Sequence, residues 1–310
     1  MMEPVSHIVV DWGTSSFRLW ALDRAGQVLA ERRSTQGLAA SATDGFEVVL
    51  ETHIAALGIG EDVPVMMCGM VGSRSGWIEA AYLAAPVPLA GLAAQTTLVP
   101  STRRPIHVLP GIAQNDPHHF DVMRGEETQL LALTTREGAC LACLPGTHSK
   151  WVRLEDGTIE GFASFMTGEL FQLIREASVL APALSGAAPV EPASPAFAEG
   201  VAEALAAPES IGNALFALRA SWLLAATPAT SALARLSGLL IGLELAGARQ
   251  RFGNLDGVSL IASAPAAPLY RQAFAVAGLA DIRAFDAESC VREGLHAAAL
   301  ATFQLEGAVS

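Results

Sequence analysis

Basic residues are scarce. Nineteen Lys and Arg stand against 31 Asp and Glu, a net charge of -12, and no basic run occurs in the 310 residues. A phosphate-backbone footprint is therefore missing, and nucleic acid is not expected as a partner. Cysteine is scarcer still, at four, too few and too scattered for a disulfide framework. Cys140-x-x-Cys143 has redox or zinc spacing, but it sits in a strand pattern, where positions three apart face opposite ways, and no second pair completes a zinc site. The longest helical apolar stretch, Leu233–Leu245, falls short of the ~20 residues of a membrane span and carries Arg235 and Glu244. It reads as a buried core helix, so no membrane partner is expected. Met1–Asp11 lacks the basic start and cleavage site of a secretory leader and runs straight into a strand pattern, which points to a cytoplasmic protein. Two nucleotide signatures are absent as well: there is no Gly-x-x-x-x-Gly-Lys-Ser/Thr, and no Gly-x-Gly-x-x-Gly follows a strand. Any nucleotide must be held another way.

What is present is a duplicated grammar of strands and turns. The chain opens with strand His7–Val10, turn Asp11-Trp12-Gly13-Thr14-Ser15-Ser16, strand Phe17–Leu22, turn Asp23–Gly26 and strand Gln27–Arg33. The pattern returns as strand Ala139–Leu144, turn Pro145-Gly146-Thr147-His148-Ser149-Lys150, strand Trp151–Leu154, an Asp156-Gly157 hairpin and strand Thr158–Ala163. Both first turns contain Gly-Thr-x-Ser. With 51% hydrophobic residues the chain can bury two cores, so two related α/β domains are expected, 1–137 and 138–310, facing across a cleft where the Gly-Thr turns converge. Helical spacing predicts helices over Gly45–Ala56, Glu126–Thr135, Gly168–Ser178, Pro195–Ala206, Asn213–Ala225 and Ala229–Arg251. Beyond them lie a strand at Val258–Ser263, a helix at Leu269–Val276 and a last helix from about Ala287. Ala181–Pro195, rich in Pro, Ala and Ser, reads as a surface loop.

Asp11-Trp12-Gly13-Thr14-Ser15-Ser16 joins a buried strand to a tight turn in which glycine permits close approach and hydroxyls plus amides can bind phosphate oxygens. Gly13, Thr14, Ser15 and Ser16 are thus candidate phosphate contacts. Asp11 at the strand end is the candidate metal ligand, because Mg²⁺ takes one or two carboxylates together with phosphate oxygens.

Paired Gly-Thr hairpins resemble the two phosphate loops of the actin-like ATPase superfamily, which includes hexokinase, acetate kinase and Hsp70. Within it, Asp11–Trp20, Cys68-Gly69-Met70-Val71-Gly72-Ser73-Arg74-Ser75-Gly76-Trp77, Asp121–Gln129 and Leu144–Trp151 resemble the 2-dehydro-3-deoxygalactonokinase family. Weaker matches continue through Phe165–Phe171, Leu215–Ala220 and Ser237–Gly242, so the resemblance covers nearly the whole chain. It implies two ribonuclease H-like domains, each opening with a β-meander. The implied reaction is transfer of the γ-phosphate of ATP, with Mg²⁺, to the 6-hydroxyl of 2-dehydro-3-deoxy-D-galactonate in galactonate breakdown. A second phosphate loop at Gly146, Thr147, His148 and Ser149 follows. The partner is then a small keto sugar acid, and room is left for a homo-oligomer.

A small anionic acceptor needs a cation for its carboxylate. Arg74 and Arg124, each in a turn bracketed or followed by glycine, are the candidates, with Ser73, Trp77 and Glu127 lining the same pocket. Phosphoryl transfer also needs a group to receive the hydroxyl proton. The second loop lacks the aspartate common in related kinases, so the base is placed at Glu126 first, Asp11 second and Glu127 third. Lys150 is expected to neutralise charge on the phosphate in transfer. Where the superfamily has an adenosine-binding glycine turn, this chain has Ser263, Ala264 and Pro265, expected to be adenine-side contacts. His118-His119 is not expected to bind metal. A related kinase acting on 2-dehydro-3-deoxygluconate or another sugar acid, and a nucleotide-switched interaction protein, are the alternatives.

Overall fold

A computed structural model describes residues 4–101, 103–133 and 141–305. Its contacts group into two compact units, one of Met1–Ala139, Leu154–Gly161 and Ala287–Ser310, the other of Cys140–Arg153 and Phe162–Asp286.

The first unit begins with the expected meander, β1 (His7–Trp12), β2 (Phe17–Leu22) and β3 (Val28–Ser34). Then come α1 (Leu38–Asp44), α2 (Phe46–Ala55), β4 (Val65–Gly69), β5 (Tyr82–Ala84), β6 (Val87–Pro88), β7 (Thr97–Leu98), β8 (Ile106–Val108), β9 (Gly111–Asp116), β10 (His119–Met123) and α3 (Glu126–Leu131). The main sheet has the order β3-β2-β1-β4-β8-β7. β1 is antiparallel to β2 and parallel to β4, and β4 is parallel to β8. A central strand is covered on both faces, which is why Ile8, Val9 and Val10 are all fully buried and why this run is apolar without alternation.

In the second unit β11 (Leu141–Leu144), β12 (Ser149–Glu155) and β13 (Thr158–Phe165) repeat the meander. Asp156 and Gly157 both have positive φ, 47° and 73°, the signature of a type I′ hairpin. Helices α4 (Thr167–Ala177), α5 (Ala181–Leu184), α6 (Pro195–Ala206), α7 (Ile211–Ala225) and α8 (Ala229–Phe252) follow, then β14 (Ser259–Ile261), α9 (Ala266–Val276) and β15 (Arg283–Phe285). The strands run β15-β14-β11-β12-β13, with β11 antiparallel to β12 and parallel to β14, and β14 parallel to β15. Order and direction therefore repeat those of β8-β4-β1-β2-β3, the ribonuclease H-like arrangement twice over. The hairpin tip Leu154–Gly161 belongs to the first unit, where Thr158 and Ile159 pair with β6.

The last helix, α10 (Ala287–Phe303), also belongs to the first unit and packs on β1, β4 and α3. α8 matches the helix expected over Ala229–Arg251 to within one residue and extends beyond the apolar stretch Leu233–Leu245 at both ends. It is long and apolar enough to cross a membrane by length and composition, yet 72% of that window is buried inside the protein, as a core helix would be. The segment read as a surface loop after Ala181 opens instead with α5, whose Ala183 and Leu184 are buried. Cys68, Cys143 and Cys290 are buried and in no disulfide, and the Cys140 half of the Cys-x-x-Cys pair lies outside the described residues.

Candidate functional site

Strand β1 runs two residues further than the expected His7–Val10, so Asp11 is a strand residue, opposite Arg18 on β2 and Cys68 on β4. Its carboxylate accepts from Arg18 Nη2 at 2.5 Å. Arg18 lies 3.6 Å from Glu288 on α10, and Glu288 also pairs with Arg33. Burial raises the Asp11 pKa and Arg18 opposes the rise, while the nearby Glu126 adds to it. A carboxylate that is partly desolvated, at a strand end and beside a second acid, suits a divalent cation carrying its own phosphate ligands. Among the described residues there is no cluster of three or more metal-binding side chains.

The first Gly-Thr turn is closed by Gly13 N–H donating to Ser16 O at 2.9 Å, leaving Thr14, Ser15 and Ser16 exposed. A backing segment absent from the sequence reading supports it. Gly37, at the start of α1, approaches so closely that a Cβ there would lie 2.3 Å from Thr14 O and 2.5 Å from Ser15 N. Leu38 N–H donates to Gly13 O at 3.1 Å. Trp12 is pinned from below, its indole N–H donating to Gln36 O at 3.0 Å.

The two glycine-bracketed arginines differ sharply. Arg124 is fastened: Nη2 donates to Ala80 O at 2.8 Å and the guanidinium lies 4.2 Å over the Tyr82 ring. Arg74 reaches solvent, 90% exposed, with Glu79 at 3.4 Å. Ser73 is buried and its hydroxyl has no partner among the described residues. Trp77 stacks on Phe46, centroids 6.2 Å apart, and packs edge-on to Trp12, so its ring is part of the core of this unit. Glu127, read as an acceptor contact, is 1% exposed. Both its oxygens accept from the Gly125 N–H, at 2.9 and 2.7 Å, and the carboxylate braces the Arg124-Gly125 turn from inside. Glu126 is half-buried and caps the same turn, accepting from the Arg124 N–H at 3.1 Å.

The second turn repeats the first. Gly168, the second residue of α4, comes so near that a Cβ would lie 2.4 Å from Gly146 O and 2.8 Å from Thr147 Cα, and Glu169 N–H donates to Thr147 O at 3.0 Å. Gly146, Thr147 and His148 are exposed, His148 Nε2 lying 2.5 Å from Glu169 Oε2. Two expected members turn inward instead. Ser149 is fully buried with its hydroxyl 3.0 Å from the Tyr270 hydroxyl, and Lys150 is 4% exposed with its ammonium donating to His148 O at 3.1 Å. Both begin β12, where neighbouring side chains point to opposite faces, and the start of this strand is covered on both. Lys150 thus holds the turn's backbone in this structure.

Beside this turn lies a cavity of about 450 Å³, walled by Pro145, Gly146, Phe171, Val190, Leu240 and Leu269 among others. Of the three residues read as adenine contacts, Pro265 lines it; Ser263 instead donates to Asp286 at 2.6 Å, and Ala264 is not in the wall. Most of the wall comes from α4, α8 and the segment at Ala187–Val190. That was hidden in the sequence, because apolar residues at helical spacing look the same whether they face a core or a cavity.

Two ribonuclease H-like sheets, each carrying an exposed Gly-Thr turn backed by a glycine, with an apolar cavity at the second turn, define an actin-like small-molecule kinase. Residues 11–298 match the family model described as 2-keto-3-deoxy-galactonokinase. The chain is 48% identical over 301 residues to "Probable 2-dehydro-3-deoxygalactonokinase DgoK1" of Rhizobium meliloti (strain 1021), covering 96% of this chain and 98% of that protein. It is 33% identical to the 2-dehydro-3-deoxygalactonokinase of Escherichia coli (strain K12), over 94% and 97%. A crystal structure of a "putative 2-dehydro-3-deoxygalactonokinase protein from Sinorhizobium meliloti" superposes with a TM-score of 0.93 at 47% identity, over 98% of this chain and 99% of that one. The chain belongs to the 2-keto-3-deoxy-galactonokinase family: it is a phosphotransferase, with ATP as the phosphate donor that a kinase of this family implies.

Proposed function

We propose that the protein transfers the γ-phosphate of ATP to the 6-hydroxyl of 2-dehydro-3-deoxy-D-galactonate, in galactonate catabolism in the cytoplasm. The observation that carries this reading is the repeated Gly-Thr turn with its glycine backing, joined to family membership over nearly the full length. Residues 1–137 supply the acceptor contacts and first phosphate turn; 138–310 supply the second turn and the nucleoside site. The amides and hydroxyls of Gly13, Thr14, Ser15 and Ser16, with those of Gly146, Thr147 and His148, bind phosphate oxygens. The adenosine occupies the cavity that Pro265 borders.

Mg²⁺, when bound, neutralises phosphate charge, and Asp11 is the residue that would hold it, directly or through water. The acceptor oxygen forms a bond to the γ-phosphorus as the bond from that phosphorus to the bridging oxygen breaks, and ADP leaves. The hydroxyl proton passes to the Glu126 carboxylate. Arg74, the arginine free to swing, takes the acceptor carboxylate, while Arg124 keeps its turn in shape through Ala80 and Tyr82.

ADP release measured with Mg-ATP and a panel of 2-dehydro-3-deoxy-D-galactonate, its gluconate epimer, galactonate and galactose tests the reading. The first compound is expected to give the highest kcat/KM. Arg74→Ala is expected to raise its KM by about 10- to 100-fold, the worth of one charge-assisted hydrogen bond. If no acceptor lifts turnover above basal ATP hydrolysis, the assignment fails.

A further inference from the structure

Glu244 sits in the middle of α8, 1% exposed, on a helix that otherwise buries mainly Leu, Ala and Gly. Its carboxylate accepts from the Trp151 indole N–H at 2.8 Å, from the Tyr270 hydroxyl at 2.6 Å and from the Thr167 hydroxyl. Tyr270 in turn lies 3.0 Å from the Ser149 hydroxyl. A buried carboxylate carries a desolvation cost that a leucine at the same place would not, so packing alone does not account for it. The groups it gathers do. Thr167 immediately precedes the Gly168 that touches Gly146 and Thr147, Ser149 ends the Gly-Thr turn, and Tyr270 and Thr167 are both cavity walls. One acid therefore ties β12, α4 and α9 together at the point where turn and cavity meet.

We infer that Glu244 is a positioning residue for the nucleotide: without touching it, the carboxylate holds the second Gly-Thr turn and the cavity wall in a single geometry. This rests on the proposed nucleotide role of that turn and cavity. Glu244→Gln keeps the volume but turns an amide donor toward three donors, and Tyr270→Phe removes the hydroxyl that joins Ser149 to the acid while keeping the ring. Leu255→Ala, a buried position in the same core without a polar contact in the network, reports on loss of stability alone.

The measurements are kcat and both KM values by ADP release, the Kd of Mg-ADP by calorimetry, and Tm. Glu244→Gln and Tyr270→Phe are expected to raise the ATP KM and the Mg-ADP Kd about tenfold, equivalent to about 1.4 kcal/mol, with the acceptor KM unchanged. Leu255→Ala is expected to lower Tm and leave both KM values alone. Unchanged nucleotide constants in a folded Tyr270→Phe, or an equal rise in Leu255→Ala, would overturn the inference. Wild-type protein that binds Mg-ADP yet shows no acceptor-dependent turnover would instead sink the proposed reaction, leaving the Kd comparison to decide the role of Glu244.

Discussion

Glu126 and Glu127 are neighbours in the chain with the same side chain and opposite surroundings. Burial, with Glu126 adding to it, pushes Glu127 from the ordinary 4.5 up to about 7. Between those values the native protein keeps a proton that the unfolded chain has released, so stability from this group falls as pH rises through the window, by about 3 kcal/mol in all. Glu127→Gln is expected to remove that slope, so that urea titrations from pH 5 to 8 find the variant gaining on the wild type as pH rises. A parallel pair of curves would mean that Glu127 is ionised throughout. His7 works the other way: burial, then the stacked His296, lower it to about 4, so its stability is present at neutral pH and lost as pH falls from about 6.5. The sequence suggested which acids and hydroxyls matter but not which way they face. Two adjacent first-turn glutamates, or Ser149 one place after an exposed histidine, can be told apart only once the packing is known.

The two backing glycines are devices of the elements that carry them. Each lets a helix start press on a Gly-Thr turn, with less than 2.5 Å from a hypothetical Cβ to a backbone oxygen. Such a clash cannot be relieved by turning a side chain, so Gly168→Ala must move the second turn. Its kcat/KM for ATP is expected to fall by about 100-fold or more, the scale of loss that a 1 Å misplacement brings. Gly37→Ala is expected to do the same at the first turn. Gly212, on α7 with open space around it, is the contrast: Gly212→Ala is expected to stabilise by about 0.5–1 kcal/mol with activity intact, as helix propensity dictates. Kinetics and thermal melts on the three variants check this. The long helices were legible from their apolar spacing, and the first strands from apolar runs closed by Gly-, Asp- and Ser-rich turns. The short strands β5 to β8 were not, since two or three residues cannot establish a period, and the backing glycines were not, since the contact joins positions 23 apart in one unit and 22 in the other.

At the scale of the molecule the duplication was legible, because the same strand, Gly-Thr turn and strand open each half. The destination of α10 was not. Its apolar stripe says that it packs on something, and the pattern is silent about which sheet receives it. In the structure Gly294 lies against Thr128, His296 stacks on His7, and Glu288 meets Arg18 and Arg33 of the first unit. A chain ending at Asp286 leaves that face of β1 and β4 bare and is expected to aggregate on expression, whereas a soluble, cooperatively melting product would show α10 to be dispensable. The same arrangement sets a timetable on the ribosome. The strands of the first unit emerge early, yet their covering helix is made after the whole of the second unit, and at roughly 5–20 residues per second the gap is several seconds or more. For that interval the nascent chain carries an uncovered apolar sheet, which makes it a natural client for a chaperone that shields hydrophobic surface during synthesis.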